Sequence, residues 1–182
     1  MIRSYRGKTP RIHPTAFVSE FAYVVGDVEI GEGSSVWPGT VIRGDVGPIR
    51  IGRFTNIQDN CVVHTDREAV IGDYVTLGHG VVCHAARIGD YTLIGNNATL
   101  NDPAEIGDHC IVAANSVVLE GAKVPPHSFV AGIPAEVKRP VTERHLQMTE
   151  RTARHYAQKA QLFRQEGLGD AVPQPEGVRG QS

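Results

Sequence analysis

An aliphatic residue recurs at every sixth position along most of the chain, and this spacing is the dominant pattern of the sequence. The first uninterrupted run consists of Ile12, Val18, Val24, Ile30, Val36 and Ile42. Neither the 3.6-residue period of a helix nor the two-residue period of an exposed strand explains it. A period of six predicts a short strand and then a corner, repeated so that three steps close one triangular coil with the aliphatic residues inside.

Two insertions lengthen the repeat. The steps from Ile42 to Ile51 and from Val63 to Ile71 carry extra residues, in the segments "RGDVGP" (43–48) and "HTDREA" (64–69). We expect both segments to leave the coil as loops beyond the same face. Insertions on one face of a solenoid commonly mark its working surface.

The repeat ends near Pro140 and a different pattern follows. Residues 1–140 are predicted to form one all-β repeat domain whose coils stack at roughly 4.8 Å. Residues 141–167 are predicted to form a helix that packs back on the solenoid, with Thr142 as its cap and Gly167 as its stop. Its apolar stripe consists of Leu146, Ala153, Tyr156, Ala157, Ala160 and Phe163. Residues 168–182 are rich in Gly and Pro, and we expect them to be disordered.

Composition narrows the class of protein. The formal net charge is −2, which gives no reason to expect binding to nucleic acid or to an anionic membrane surface. No apolar run approaches the roughly 20 residues of a membrane span, and the N-terminus lacks the apolar core of a signal peptide. We therefore expect a cytoplasmic protein. An odd number of cysteines, Cys61, Cys83 and Cys110, indicates reduced structural thiols.

The period assigns each position to one of three faces. Face a carries the inward residues Ile51 and Ile71, face b carries Ile57 and Leu77, and face c carries Val63 and Cys83. On face c, the residue after each inward aliphatic stacks in successive coils. That column consists of Arg43, His64, His84 and Asn101.

Three histidines are the candidate metal ligands. His64 and His84 are predicted to lie one coil apart, so their imidazoles can converge on one ion at roughly 2.0–2.1 Å each. His79 lies on face b instead, above Asp59. A neighbouring subunit around a three-fold axis can bring its His79 against this pair. We therefore predict a homotrimer with interfacial sites, in which three imidazoles leave a fourth position open for water.

Two segments resemble the gamma-class carbonic anhydrase family: "RGDVGPIRIGRFTNIQDNCVVHT" (43–65) and "IGDYVTLGHGVVCHAARIGDYTLIG" (71–95). The resemblance extends over most of residues 10–166. It implies a left-handed parallel β-helix and reversible hydration of CO2 to bicarbonate. It also implies zinc ligands at His64, His79 and His84. Imidazole ligands suit Fe2+ and Co2+ as well, so the native metal stays open.

The resemblance also implies roles for residues around the metal. Gln58 and Asp59 match polar residues that orient the reacting water and receive its proton. Arg43 and Asp45 match an interfacial pair associated with trimer integrity and bicarbonate binding. The remaining matches are Asn56, near the bound anion, and Tyr156, which some members bring near the metal and whose helical register also suits packing.

Two departures from the family pattern leave alternatives open. Val46 stands where the family archetype carries a glutamate associated with proton transfer, and only Asp66 and Glu68 remain of its acidic loop. One alternative is a catalytically weak or silent metal-binding member with a structural or ligand-binding role. Another is a hexapeptide acyltransferase, which uses one interfacial histidine as a base and no metal.

Overall fold

The computed structural model describes residues 1–169, which contain twenty short β-strands and one α-helix. Each coil is built from short strands because the repeat turns a corner every six residues. The predicted all-β parallel β-helix with a C-terminal helix is confirmed. The tail predicted over residues 168–182 lies outside the described residues, apart from its first two positions.

The strands follow the repeat from the N-terminus to residue 140. They are β1 (Ile2–Arg3), β2 (Arg11–Ile12), β3 (Phe17–Val18), β4 (Tyr23–Ile30), β5 (Ser35–Val36), β6 (Val41–Ile51), β7 (Asn56–Ile57), β8 (Val62–His64), β9 (Ala69–Ile71), β10 (Thr76–Leu77), β11 (Val82–Cys83), β12 (Arg87–Ile88), β13 (Leu93–Ile94), β14 (Thr99–Leu100), β15 (Glu105–Ile106), β16 (Ile111–Val112), β17 (Val117–Val118), β18 (Lys123–Val124), β19 (Ser128–Gly132) and β20 (Ala135–Pro140). The helix α1 spans Glu143–Gln165.

Inward aliphatic residues stack in register along each face. On face c, Ile42 pairs with Val63, and Cys83 pairs with both Val63 and Leu100. The corresponding columns on faces a and b are equally buried. Because full burial of one aliphatic side chain contributes about 1.5–3 kcal/mol, the stacked columns are the main source of stability.

Strand β6 differs from the prediction for residues 43–48. Instead of leaving the coil as a loop, the chain continues as one strand from Val41 to Ile51 and joins face c to face a. The reason is its parallel partner β4, whose register shifts between Gly26 and Val28 and thereby absorbs the extra residues as a bulge. Residues 65–68, in contrast, lie outside the strands, as expected for a loop.

Helix α1 covers face b. Thr142 is its N-cap residue, and His145 Nδ1 accepts a hydrogen bond from the Thr142 N–H. Ala153 and Ala160 are buried, and the helix contacts β3, β5, β7 and β10. Phe163 packs edge-on against Phe17 and Trp37, as the predicted apolar stripe requires.

The outward residues differ between the other two faces. Face a presents a column of mostly alternating charges, Arg11, Glu29, Arg50, Val70, Arg87, Glu105 and Lys123. Face c presents mainly β-branched side chains, Val41, Val62, Val82, Thr99 and Val117. Val62 and Val82 are 40% and 43% exposed, so this valine ridge has no cover within the described chain.

Candidate metal centre

His64 and His84 lie together beside the valine ridge, as the six-residue period predicts. His64 ends β8 and pairs with Arg43 of β6, while His84 directly follows β11. Their ring centroids are 5.0 Å apart, and His64 Nδ1 lies 3.0 Å from His84 Nε2. The stacking of successive coils therefore brings one nitrogen of each imidazole close enough to bind the same ion.

Asp45 orients His64. The His64 Nε2–H donates to Asp45 Oδ1 at 3.0 Å, so Nδ1 carries the lone pair that faces His84. Burial raises the pKa of Asp45, but hydrogen bonds from Arg43 and His64 outweigh burial and lower it below its usual value. An anionic carboxylate on the far nitrogen is the usual support of a metal-binding histidine.

The two imidazoles fit a divalent metal ion. Two nitrogens bound tetrahedrally at about 2.0–2.1 Å from one ion lie about 3.3 Å apart, close to the 3.0 Å between His64 Nδ1 and His84 Nε2. The proton that the two nitrogens share is the one that a bound cation replaces. The donor set is therefore suited to zinc, iron or cobalt.

A third donor in the same chain is Asp66, which sequence reasoning did not assign to the metal. One ligand atom from each of His64, Asp66 and His84 lies within 4.8 Å of the others. Asp66 occupies the loop at 65–68, and its only sequence signal is its position two residues after His64.

Gln58 belongs to a second group, on face b beneath α1. Asn56 Nδ2 donates to Thr76 Oγ1 at 2.8 Å and to the carbonyl of Val75 at 3.4 Å, while Gln58 Nε2 donates to Asn56 Oδ1 at 3.0 Å. Because a backbone carbonyl only accepts, it fixes the direction of both amides. The Gln58 side chain is buried, at 5% exposed, and its Oε1 has no hydrogen-bond partner among residues 1–169, which leaves this oxygen available as an acceptor.

His79 and Asp59 complete this second group. His79 Nδ1 lies 2.9 Å from Asp59 Oδ2, and the His79 side chain is 50% exposed. Among residues 1–169, no group forms a hydrogen bond or an ion pair with His79 Nε2. His79 does not join the pair on face c within the chain, which is the separation that the predicted intersubunit site requires.

Tyr156 lies over face b, close to this group. Its ring packs edge-on against Trp37 with centroids 5.4 Å apart. Burial, and then the nearby charge of Asp59, raise the pKa of Tyr156. The phenol is therefore neutral. Ring packing holds it in place, and it lies near Asp59.

The three cysteines are free and buried. Burial raises the pKa of Cys61 to about 12 and that of Cys83 to about 11, so neither thiol supplies a thiolate ligand at neutral pH. Within the described residues, no helix is long and apolar enough to cross a membrane.

Comparison with known proteins agrees with the six-residue repeat. A family model described as "Bacterial transferase hexapeptide (six repeats)" matches residues 9–44 and 85–120. A solved structure of a hexapeptide transferase family protein from Anaplasma phagocytophilum is 36% identical, with a TM-score of 0.86 over 90% of this chain and 98% of that one. The fold and the repeat thus define a hexapeptide-repeat protein.

Two relatives narrow this class. "Carbonic anhydrase" of Geobacillus kaustophilus is 47% identical over 166 residues, which cover 90% of this chain and 91% of that protein. "Gamma carbonic anhydrase 3, mitochondrial" of Arabidopsis thaliana is 48% identical over 85% of this chain, which spans 63% of that protein. The chain belongs to the gamma-class carbonic anhydrase family.

Proposed function

We propose that the chain is a metal-dependent lyase that hydrates CO2 reversibly to bicarbonate, at sites shared between the protomers of a homotrimer. The observation that carries the proposal is the convergence of His64 Nδ1 and His84 Nε2 at 3.0 Å, supported by Asp45. The names of the two relatives above support the same reaction.

Assembly is needed because the site is divided between two faces. His64 and His84 lie beside the exposed valine ridge of face c, whereas His79 is held by Asp59 on face b. Contact between face c of one protomer and face b of the next covers the ridge and brings the third imidazole to the pair. Three such contacts close a ring, and no valine ridge is left exposed.

The metal ligands proposed are His64 and His84 of one protomer and His79 of its neighbour, with zinc as the first candidate and Fe2+ or Co2+ as alternatives. When bound, the ion acts as a Lewis acid and supplies a hydroxide nucleophile at neutral pH. The surrounding residues of the chain bind CO2, orient the water and carry protons.

Each surrounding residue has a role that its contacts support. Gln58 Oε1 accepts a hydrogen bond from the water and orients it, because Asn56 and Thr76 fix the direction of the amide. Asp59 accepts the proton, and Tyr156 supplies a neutral phenol near it. Arg43, paired with Asp45, holds the bicarbonate anion through its guanidinium.

A second candidate function is that of a metal-binding family member in which the ion stabilises the trimer without efficient turnover. The observation that favours it is Val46, which is 64% exposed at the bulge of β6 and has no group that carries a proton. Regeneration of the nucleophile then depends on Asp59 and on buffer, which limits the rate.

The deciding experiment is stopped-flow CO2 hydration with metal analysis of the same sample. We expect one metal ion per chain and measurable hydration, and loss of both in His84→Ala. His109→Ala is the matched control, because His109 stacks between Tyr91 and His127 and lies outside the metal group. Hydration and metal content that persist in His84→Ala exclude the proposed site.

Other outcomes select among the alternatives. Stoichiometric metal without hydration, together with dissociation of the trimer on chelation, favours the structural role. Acetyl transfer from acetyl-CoA by the metal-free protein favours an acyltransferase.

A further inference from the structure

We propose that a single protomer holds the metal ion before assembly, through a second ligand set made of His64, Asp66 and His84, and that the neighbour's His79 replaces Asp66 when the trimer forms. This inference rests on the proposed function for the presence of a metal. It assigns the Asp66 carboxylate a place in metal loading.

Geometry places Asp66 within reach. The three donor atoms lie within 4.8 Å of one another, whereas ligands around one ion lie about 3–3.5 Å apart. Rotation of one exposed aspartate side chain supplies the difference. Asp66 has no hydrogen bond or ion pair within residues 1–169, so binding a cation breaks no existing contact.

The loop that carries Asp66 is fixed at several points. Thr65 is buried, and its Oγ1 accepts a hydrogen bond from the Arg67 N–H at 3.2 Å. Arg67 Nε lies 3.4 Å from Asp102 Oδ2, which follows β14, two coils beyond β8. A Cβ at Gly47 would collide with the Arg67 carbonyl, so the bulge of β6 packs directly on this loop. Asp66 is therefore positioned beside the histidines by its neighbours in sequence and in space.

Chemistry supports the order of the two ligand sets. Two imidazoles and one carboxylate bind zinc, iron and cobalt, so the set suits the same metals. The carboxylate neutralises part of the ion's charge, which weakens it as a Lewis acid. In the assembled protein, a neutral third imidazole in place of Asp66 would leave the ion its full charge. Loading and activation are thereby separate steps.

The test measures Zn2+ affinity by chelator competition and the visible absorption of Co2+, in purified full-length variants. We expect His79→Ala to keep one ion per chain because Asp66 takes the place of the missing imidazole, so that affinity falls only about 10- to 100-fold, as it does on loss of an outer-shell partner. Adding Asp66→Asn to it is expected to lower affinity by at least a further 100-fold, more than the loss of an outer-shell partner causes. Asp66→Asn alone is expected to change affinity less than about threefold, since three imidazoles remain.

Glu68→Gln is the matched control, because it removes one negative charge from the same loop but lies outside the donor group. The inference is overturned if Asp66→Asn weakens binding no more than Glu68→Gln does in the His79→Ala background. It is also overturned if His79→Ala binds no metal while the unmodified protein does.

These results separate the inference from the proposed function. A protein that binds metal through Asp66 but does not hydrate CO2 supports the ligand set and contradicts the reaction. A protein that hydrates CO2 but loses all metal in His79→Ala supports the reaction and contradicts the early ligand set.

Discussion

Faces a and c have the same interior and opposite exteriors. Both are built on stacked aliphatic columns in the same parallel register. Outward, face a pairs charges between coils, as in Glu29 with Arg50 at 3.4 Å and Glu105 with Lys123 at 3.2 Å, whereas face c exposes Val62 and Val82. The repeat therefore determines the inward residues and leaves the outward ones free to select water or a partner.

A charge on the valine ridge should give the largest effect. We expect Val82→Glu to dissociate the assembly, because leaving an unpaired carboxylate in a closed interface costs about 3–5 kcal/mol. Because the assembly is lost, the affinity for the metal should also be lower in this variant, whereas the protomer should keep its fold. Sedimentation velocity and circular dichroism check the two parts. An intact trimer in Val82→Glu means that face c is not the contact surface.

Removal of an ion pair from face a should have a moderate, pH-dependent effect. Asp27 accepts hydrogen bonds from Lys8 at 2.8 Å and Arg50 at 2.7 Å, which lower its pKa from 3.8 to about 2. Because the folded pKa is the lower one, the stabilisation is present above about pH 4 and is lost as the pH falls toward 2.

We therefore expect Asp27→Asn to lower the free energy of unfolding by about 1–2 kcal/mol at pH 7, after allowance for solvent screening of the exposed lysine. The difference should shrink between pH 4 and pH 2. Denaturant unfolding at a fixed protein concentration measures it. A difference that stays constant down to pH 2 contradicts the electrostatic explanation.

Face b differs from both, because α1 covers it and its polar residues orient the side chain of Gln58. Thr76→Val removes the hydroxyl that accepts from Asn56, and we expect kcat for CO2 hydration to fall about fivefold, the equivalent of one hydrogen bond of about 1 kcal/mol. Thr76→Ser should restore the rate. Thr92→Val is the control, because it removes a buried hydroxyl bonded to the Gly107 carbonyl with no link to Gln58. Equal rate losses in both valine variants contradict the orienting role.

The smallest effect on stability is expected at Val70, which interrupts the column of alternating charges on face a. Val70, 36% exposed, stands between Arg50 and Arg87 in the charged column. Val70→Glu completes the alternation, and we expect a gain of about 0.2–1 kcal/mol in unfolding free energy that disappears at high salt. The same substitution at Val82 is predicted to be disruptive. If Val70→Glu and Val82→Glu have similar effects on stability and assembly, faces a and c do not differ in the way described above.

The position of the face-c histidines was predictable because the repeat constrains every third step to the same face. His64 and His84 therefore stack whatever the loop between them does. The inward columns follow from the same rule, and so does the separation of His79 from the pair.

The course of the insertions was not predictable from spacing. The prediction of a loop at residues 43–48 was wrong because pairing between β4 and β6 depends on a shift at Gly26 and Val28 that hydrophobic periodicity does not record. Asp66 was missed for a similar reason. Its loop is held partly by the packing of Gly47 against Arg67 and by the ion pair between Arg67 and Asp102, and these residues are far apart in sequence.

The helix was predicted more completely than its docking site. Its apolar stripe follows from the spacing of Ala153, Ala160 and Phe163, but the stripe alone does not say which face it covers. The residues that identify the covered face belong to the solenoid: Phe17 and Trp37 place aromatic rings on the outside of face b. Large outward rings on adjacent coils would have identified the covered face.

Trp37 also gives the molecule an internal optical reporter. It is the sole tryptophan of the chain, it is 3% exposed, and its indole lies against Tyr156 and Phe163 of α1 and donates to Ser35 Oγ at 3.0 Å. Release of the helix exposes the indole to water and shifts its emission to longer wavelength, while the coils beneath remain intact. Undocking of the helix can thus be timed by fluorescence without attaching a dye.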